Sequence, residues 1–221
     1  MARKRKEDAE KTRRRIIASA LALFCRKGYD HTTFDDIAGR LRLTKGAVYW
    51  YFKTKESLLE ALVALAMERF RHNAQEMMPE GELTFPAVAE MMVKTAVRMV
   101  SEPKGAAFFK LMKCQLRWSD TSMERLREDI MADSSCGPKQ MFRRAIANDI
   151  RAGRARSEVN AEEVTAVCMS IWDGLVQYHL DHFLQCDLKA TMEHAFGAIW
   201  DRIRIQAKQT TDLKQGGKHG R

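Results

Sequence analysis

The chain has 221 residues, 45% of them hydrophobic, and a formal net charge of +9. That hydrophobic fraction supplies enough material for a packed core and argues against a wholly disordered protein. Only 4 prolines and 12 glycines interrupt the chain, and the stretches between them are rich in Ala, Leu, Met, Glu, Lys and Arg, which favour helix. We therefore expect an all-α fold.

The basic charge is concentrated at the two ends of the chain. Residues 1–60 carry 15 Lys and Arg against 8 Asp and Glu, residues 61–201 carry 17 against 20, and residues 202–221 carry 6 against 1. A basic N-terminal segment suits a polyanionic partner, either nucleic acid or an anionic lipid surface. It suits a solvated surface without a partner equally well, so charge alone leaves the function open.

Several function classes are disfavoured by what the sequence lacks. Its five cysteines are odd in number and widely spaced, without a CxxC pair, which argues against a zinc site and a disulfide framework. No apolar run resembles a signal peptide or the roughly 20 residues of a membrane span. No catalytic triad motif or phosphate-binding loop supports an enzyme. We expect a soluble, cytoplasmic protein with no membrane partner and no cofactor.

A charged arm and one amphipathic helix begin the chain. We expect residues 1–8 to be mobile, as chain termini commonly are. Apolar residues then recur at spacings of three and four from Ile17 to Phe24, which predicts a helix from about residue 9 to residue 27. Gly28 follows in the position that favours a left-handed helix cap.

Two short helices joined by a tight break are predicted next, within residues 32–55. Thr33 can cap the first helix, the break falls at Arg42, and Thr44 can cap the second helix. This arrangement is a helix-turn-helix, in which the second helix enters the major groove of DNA. It favours nucleic acid as the partner of the basic N-terminal segment.

The second short helix has an inward and an outward side. Val48 falls on the inward spacing, whereas Lys45 and Gly46 lie in the first turn, where backbone N–H groups point at phosphates or base edges. Gly46 carries no side chain, so the backbone can approach the groove closely. Aromatic clusters on helices are more often core than surface, but this helix is too short to bury four aromatic rings. The four are Tyr49, Trp50, Tyr51 and Phe52.

A fourth helix opens at Lys55 and ends near Gly81, and longer helices follow it. We divide the chain into a helix-turn-helix domain with its basic arm at 1–55, a larger helical domain at 56–208, and a flexible tail at 209–221. The later helices are predicted at residues 84–101, 105–118, 122–133, 138–152, 161–184 and 188–207.

Residues 32–58 resemble the DNA-binding domain of the TetR family of transcriptional regulators. They contain a Thr-rich cap before an Ile-Ala helix, then the pair Lys45-Gly46, a Tyr-x-x-Phe, and a Lys-Glu-x-Leu that opens the fourth helix. The resemblance extends over about residues 10–65. The run from Gly46 to Phe52 is most similar to the AcrR-like branch, whose members repress multidrug efflux pumps.

This resemblance implies roles for individual residues. Thr33 matches a cap that donates to phosphate, and Lys55 matches a phosphate clamp. Residues 39–43 depart from the family, because Gly-Arg-Leu-Arg-Leu replaces its small Ala-Gly-Val turn, and Arg42 there could add a phosphate contact. The expected DNA contacts are Thr33, Arg42, Thr44, Lys45, Gly46, Tyr49, Trp50, Tyr51 and Lys55.

The last two predicted helices have broad apolar faces. In the TetR family the last two helices of each subunit form a four-helix dimer interface, so the resemblance implies a homodimer. The alternative is that both faces serve only the core of one chain. The expected interface residues are Gly174, Leu175, Tyr178, Phe196, Ile199, Trp200 and Ile203.

The region between these helices and the helix-turn-helix is unusually rich in Met and aromatic residues. Flexible thioethers suit a pocket for varied hydrophobic molecules, although the same residues are common in ordinary cores. His179, His182 and Cys186 have a spacing that a soft metal could use, but no second ligand cluster accompanies them, and we expect no metal. The candidate ligand-binding residues are Met91, Phe108, Phe109, Met112, Trp118, Met141 and Trp172.

The function that we expect is that of a ligand-responsive repressor. Its dimer would bind near-palindromic operator DNA and be released by a small hydrophobic or cationic effector, with control of an efflux pump implied by the resemblance. One alternative is a dimeric DNA-binding regulator without a small-molecule effector. Another is a membrane-surface protein that uses the basic arm, although a strongly amphipathic Lys/Trp helix is lacking.

Overall fold

The computed structural model describes residues 2–78, 80–115 and 137–205. All regular elements in these ranges are helices, apart from one isolated antiparallel bridge between Ala155 and Arg204, so the all-α prediction is confirmed. None of the helices in these ranges has both the length and the apolarity needed to cross a membrane. The helices are α1 (Ala2–Lys27), α2 (Phe34–Leu41), α3 (Lys45–Tyr51), α4 (Lys55–Glu76), α5 (Phe85–Ser101), α6 (Pro103–Lys110) with its π-helical continuation Leu111–Gln115, α7 (Pro138–Arg151), α8 (Ala161–Leu180) and α9 (Leu188–Ile203).

Side-chain caps fix where most of these helices begin. Thr84, Asn160 and Asp187 each accept a backbone N–H in the first turn of α5, α8 and α9, respectively. At the start of α4, the Ser57 N–H donates to Thr54 Oγ1 and the Thr54 N–H donates to Ser57 Oγ, over 3.1 and 3.3 Å. Such caps satisfy N–H groups that have no partner within the helix, which explains why the predicted starts agree with the structure.

The N-terminal arm differs from its prediction. α1 begins at Ala2, earlier than the predicted start near residue 9, whereas the mobility of residues 1–8 stays a prediction. No Gly or Pro interrupts this stretch, and an ion pair from Arg14 Nε to Glu10 Oε1, at 3.1 Å, supports the helix. The predicted helix at 122–133 and the predicted tail at 209–221 lie outside the described residues.

Two hydrophobic clusters organise the fold. The N-terminal cluster joins α1, α2 and α3 to the first half of α4, whose Leu58, Leu59, Leu62 and Val63 are buried in it. The C-terminal cluster joins α5, the end of α6, α7, α8 and α9. The change between clusters therefore falls within α4, and the domain division at residue 55 stays a prediction.

α6 connects the two clusters. Leu111, which follows α6, is fully buried in the N-terminal cluster, and the Cys25 thiol on α1 donates to the Ala107 carbonyl over 3.1 Å. Gly105 lets α6 cross the end of α5, because a Cβ at that position would lie 2.6 Å from the Met99 carbonyl oxygen. A segment of the C-terminal part of the chain is thus seated against α1.

A buried carboxylate fastens the C-terminal cluster. Asp149, at the end of α7, is fully buried and accepts hydrogen bonds from the Phe85 N–H at 2.7 Å and from Arg154 Nε at 2.6 Å. Arg154 also donates to Glu82 at 2.9 Å. Since a buried charge is tolerated only when it is paired and hydrogen-bonded, these contacts hold the loop after α7 against the start of α5.

Candidate nucleic-acid interface

α2 and α3 form the predicted helix-turn-helix. Thr33 caps α2 in a reciprocal arrangement: its Oγ1 accepts from the Asp36 N–H at 3.2 Å, and Asp36 Oδ2 accepts from the Thr33 N–H at 2.9 Å. Thr44 caps α3 by accepting from the Ala47 N–H at 3.2 Å. The inward residue Val48 is fully buried. Each cap was readable from the sequence because it involves residues only three positions apart.

The turn between α2 and α3 has a left-handed residue. Arg42 has φ 56° and ψ 39°, and the Leu43 N–H donates to the Ala38 carbonyl over 2.9 Å. This conformation is sterically costly for a residue with a Cβ, whereas glycine adopts it freely. The Arg42 side chain is exposed. This is the segment in which the sequence departs from the TetR pattern.

The outward face of α3 exposes aromatic side chains. Trp50 is 68% exposed and Tyr49 is 42% exposed, whereas Tyr51 is half-buried. The Tyr49 ring meets the edge of Phe34 at 4.8 Å, and the Tyr51 ring meets Trp50 at 4.7 Å. These edge contacts hold the large rings in place without covering them, so they are available for contact with bases and sugars.

The first turn of α3 has open space beside Gly46. A Cβ at this position would come no closer than 4.0 Å to another atom, which is Thr44 Oγ1. Folding of the protomer therefore does not require glycine here. A requirement for close approach of the backbone to a groove would explain it.

Ion pairs compensate the acidic residues at the start of α2. Lys45 Nζ lies 2.6 Å from Asp35 Oδ2, and Lys27 Nζ lies 2.6 Å from Asp36 Oδ1. The hydrogen bond from Lys27, followed by those from Thr33, lowers the pKa of Asp36 to about 2. The hydrogen bond and charge of Asp35 raise the pKa of Lys45. Both acids at the start of α2 are therefore members of ion pairs, an arrangement that the sequence analysis missed.

The Lys55 ammonium contacts groups within the same chain. Its Nζ donates to the carbonyls of Tyr29 and Asp30, over 3.0 and 3.1 Å, and lies 4.5 Å from the centre of the Tyr29 ring. The resemblance had implied a phosphate clamp here. Arg13, which the sequence analysis also missed, lies with its guanidinium carbon 5.3 Å from the Phe52 ring centre and connects α1 to the residue after α3.

The residues expected to bind a ligand lie in two environments. Met91, Phe109, Met141 and Trp172 are buried in the C-terminal cluster, where Trp172 Nε1 donates to the Met92 carbonyl over 3.0 Å. Phe108 and Met112 are half-buried against the N-terminal cluster. Trp118 lies outside the described residues. The structure thus packs these side chains into two cores, and their role in ligand binding stays a prediction.

The residues expected at a dimer interface also divide into groups. Phe196 and Ile203 are buried within the protomer and serve the core of their own chain. Trp200 is half-buried and stacks on Phe85 at 5.6 Å, and its place at an interface stays a prediction. Leu175 and Ile199 are half-buried. Gly174 and Tyr178 are exposed, Tyr178 by 57%. Of the seven expected interface residues, only Gly174 and Tyr178 are therefore fully exposed on the outer surface of α8.

His179, His182 and Cys186 have a spacing that a metal could use, although no metal was expected there. His182 follows α8 with φ 60°, and Cys186 Sγ lies 3.1 Å from Thr191 Oγ1. Within the described parts of the chain, no group of three or more His, Cys, Asp or Glu side chains is arranged to hold a metal ion.

Comparison with known proteins places this helix-turn-helix in a family. Residues 16–62 match the family model for bacterial regulatory proteins of the tetR family. The chain is 27% identical over 208 residues to the HTH-type transcriptional regulator TtgR of Pseudomonas putida, covering 93% of this chain and 97% of TtgR.

Two solved structures share the fold. NalD, the secondary repressor of the MexAB-OprM multidrug efflux pump in Pseudomonas aeruginosa, superposes with a TM-score of 0.70 at 20% identity, covering 90% of this chain and 98% of NalD. The SmeT–triclosan complex superposes with a TM-score of 0.71 at 18% identity, covering 93% of this chain and 99% of SmeT. The family model, the regulator that matches almost end to end, and the helix-turn-helix geometry agree: residues 16–62 form a DNA-binding domain like that of bacterial regulatory proteins of the tetR family, and the relatives that the chain resembles are transcriptional regulators rather than enzymes.

Proposed function

We propose that the chain is a homodimeric repressor that binds a near-palindromic operator and releases it when a small hydrophobic or cationic effector binds. The observation that carries the proposal is the outer face of α3, where Gly46 leaves the first turn open and Tyr49 and Trp50 are exposed. A helix of this kind can insert its N-terminal turn into the major groove.

Readout of an operator requires a positive surface around this helix. Lys45 lies at the first position of α3, and Lys53 is exposed just beyond its end. Because Asp35 and Asp36 are paired with lysines, their repulsion of phosphate is reduced. Phosphate contacts would fix the position of α3, and side chains in its first turns would read base edges.

A second protomer would supply the second recognition helix. The outer face of α8 carries Val167, Gly174 and Tyr178, and that of α9 carries Gly197 and Ala198, all of them exposed. Small residues allow helices of two subunits to approach closely, and the exposed Val and Tyr would be covered. Two such dimer-related α3 helices would have to lie about 34 Å apart to enter successive major grooves.

Small-molecule control is supported by the proteins that share the fold. SmeT was solved with triclosan, a hydrophobic compound, and NalD is a repressor of a multidrug efflux pump. We infer from them that this chain responds to a hydrophobic effector and controls an efflux pump.

α6 provides a physical route from the C-terminal cluster to the DNA-binding helices. The π-helical turn after it carries Leu111 into the N-terminal cluster, while Lys113 Nζ pairs with Asp173 on α8 at 2.7 Å. π-Helical turns are uncommon and often occur at functional sites. An effector that alters the contacts between α6 and α8 would move α1, and through it the spacing of the two α3 helices.

A regulator without a small-molecule effector remains the second candidate. It is favoured by the burial of Met91, Phe109, Met141 and Trp172, which fill a core. Only the effector-controlled repressor predicts a coupling between ligand and DNA. An effector that weakens DNA binding by some factor must bind the DNA complex more weakly than the free protein by the same factor.

The test is a pair of titrations with triclosan as the first probe, extended to a panel of hydrophobic and cationic compounds. Each compound is titrated calorimetrically into free protein and into protein bound to a duplex from its own upstream region. We expect at least one compound to bind the free protein about 5- to 150-fold more tightly. Equal affinities for every compound would favour the effector-free regulator.

A further inference from the structure

Lys55 is the first residue of α4, and its ammonium is directed into the protein. It donates to the Tyr29 and Asp30 carbonyls over 3.0 and 3.1 Å and lies 4.5 Å from the centre of the Tyr29 ring. An ammonium has three N–H donors and no acceptor. Two of the three are therefore used within the protein, and the aromatic face contacts the same cation.

The partners of Lys55 form the turn between α1 and α2. Gly28 ends α1 with φ 89°, and the Thr32 side chain donates to the Gly28 carbonyl over 2.8 Å. Tyr29 is only 6% exposed, and its ring meets the edge of Phe24 at 5.0 Å. Thr33, the cap of α2, comes directly after this turn. The turn is thus anchored in the N-terminal cluster on one side and leads into the helix-turn-helix on the other.

From these contacts we propose that Lys55 is a positioning residue, which fastens the start of α4 to the α1–α2 turn and so fixes the helix-turn-helix relative to α4. The two carbonyls and the aromatic face already hold the ammonium within the protein, which leaves at most one N–H for a phosphate. The exposed Lys53, two residues earlier, has no ion pair or hydrogen bond of its ammonium within the described residues and is the better phosphate contact. The inference rests on the proposed DNA-binding function and adds a role that a surface lysine would not have.

The two roles predict different salt dependence of DNA binding. A lysine that neutralises a phosphate releases a counterion, so its removal lowers the slope of log affinity against log salt by about one per contact. A positioning lysine leaves that slope unchanged. Its loss lowers affinity for the operator, where both α3 helices must be oriented, but not affinity for a random-sequence duplex.

The experiment compares Lys55→Ala, Lys55→Gln and the control Lys53→Ala on the upstream duplex selected by footprinting and on a random-sequence duplex. For Lys55→Ala we expect an unchanged slope on both duplexes, unchanged affinity for the random duplex, and at least a tenfold loss for the operator. Lys55→Gln, which keeps an N–H donor without charge, should recover part of that loss. Lys53→Ala should lower the slope on both duplexes.

Two outcomes would overturn the proposal: a slope reduced by Lys55→Ala and Lys55→Gln alike, or an operator affinity that neither variant changes. If Lys55→Ala does not fold, Lys55→Met keeps the aliphatic stem in place and takes its position in the same comparison. Failure of the wild-type protein to select any upstream site would instead contradict the proposed function, and the random-duplex slopes would still decide whether Lys55 contacts phosphate.

Discussion

Arg42 adopts a backbone conformation that is costly for a residue with a side chain. Its φ of 56° places a residue with a Cβ in the left-handed region. We expect Arg42→Gly to raise the free energy of unfolding by about 0.5–1 kcal/mol, because glycine adopts this conformation without steric cost. Urea unfolding, with the exposed Arg40→Ala as the control, measures the change. A decrease in stability would show that the Arg42 side chain makes stabilising contacts.

The residues of the helix-turn-helix were largely predictable, whereas their ion pairs were not. Caps such as Thr33 and Thr44 act over three residues, so the sequence contains the whole motif. The pair of Lys45 with Asp35 and the contacts of Lys55 with Tyr29 depend on how separate helices approach each other. Spacing along the chain carries no information about that approach.

At the scale of a single helix, the start of α2 depends on an ionised carboxylate. The folded-state pKa of Asp36 is about 2, against an ordinary value of 3.8. A lowered pKa means that Asp36 contributes stability above the ordinary value and that this contribution is lost as the pH falls towards 2. We expect Asp36→Asn, which keeps an acceptor for the Thr33 N–H, to flatten the decline in the urea midpoint between about pH 5 and pH 2. Parallel declines in the two proteins would contradict this role.

The docking of α6 is the second feature at the scale of elements. Leu111 is fully buried among residues of the N-terminal cluster, although it lies outside the segment that matches the family model. Leu111→Ala should lower the free energy of unfolding by about 2–5 kcal/mol. The matched control is Leu65→Ala on α4, at a position 36% exposed, where we expect less than about 1 kcal/mol. Similar losses in both variants would show that α6 is not firmly docked.

The helices of the C-terminal part were predicted correctly in number and approximate bounds where the structure describes them, but the roles of their residues were less predictable. Phe196 and Ile203 were expected at an interface, yet they are buried within their own protomer. An apolar helical stripe looks the same in sequence whether its partner is in the same chain or in another. The Met and aromatic residues expected in a pocket have the same ambiguity.

At the scale of the whole molecule, the proposed dimer requires a partner helix to pack on the exposed face of α8. Gly174→Arg should dissociate the dimer, because a bulky charge would stand where a partner helix must approach. The control is Ala147→Arg, on the exposed side of α7, which should leave the assembly unchanged. Sedimentation at micromolar concentration measures both, and a monomeric wild-type protein would rule out the dimer.

Footprinting on the chain's own upstream DNA tests most directly whether α3 of each protomer reads operator DNA. The wild-type protein should protect one near-palindromic site whose half-sites lie about one helical turn apart. For Gly46→Val, the protein concentration needed for protection should rise at least a hundredfold. The unfolding midpoint should show that this variant still folds, because a Cβ at this position has 4.0 Å of clearance in the free protomer. Equal protection by the two proteins would contradict the claim.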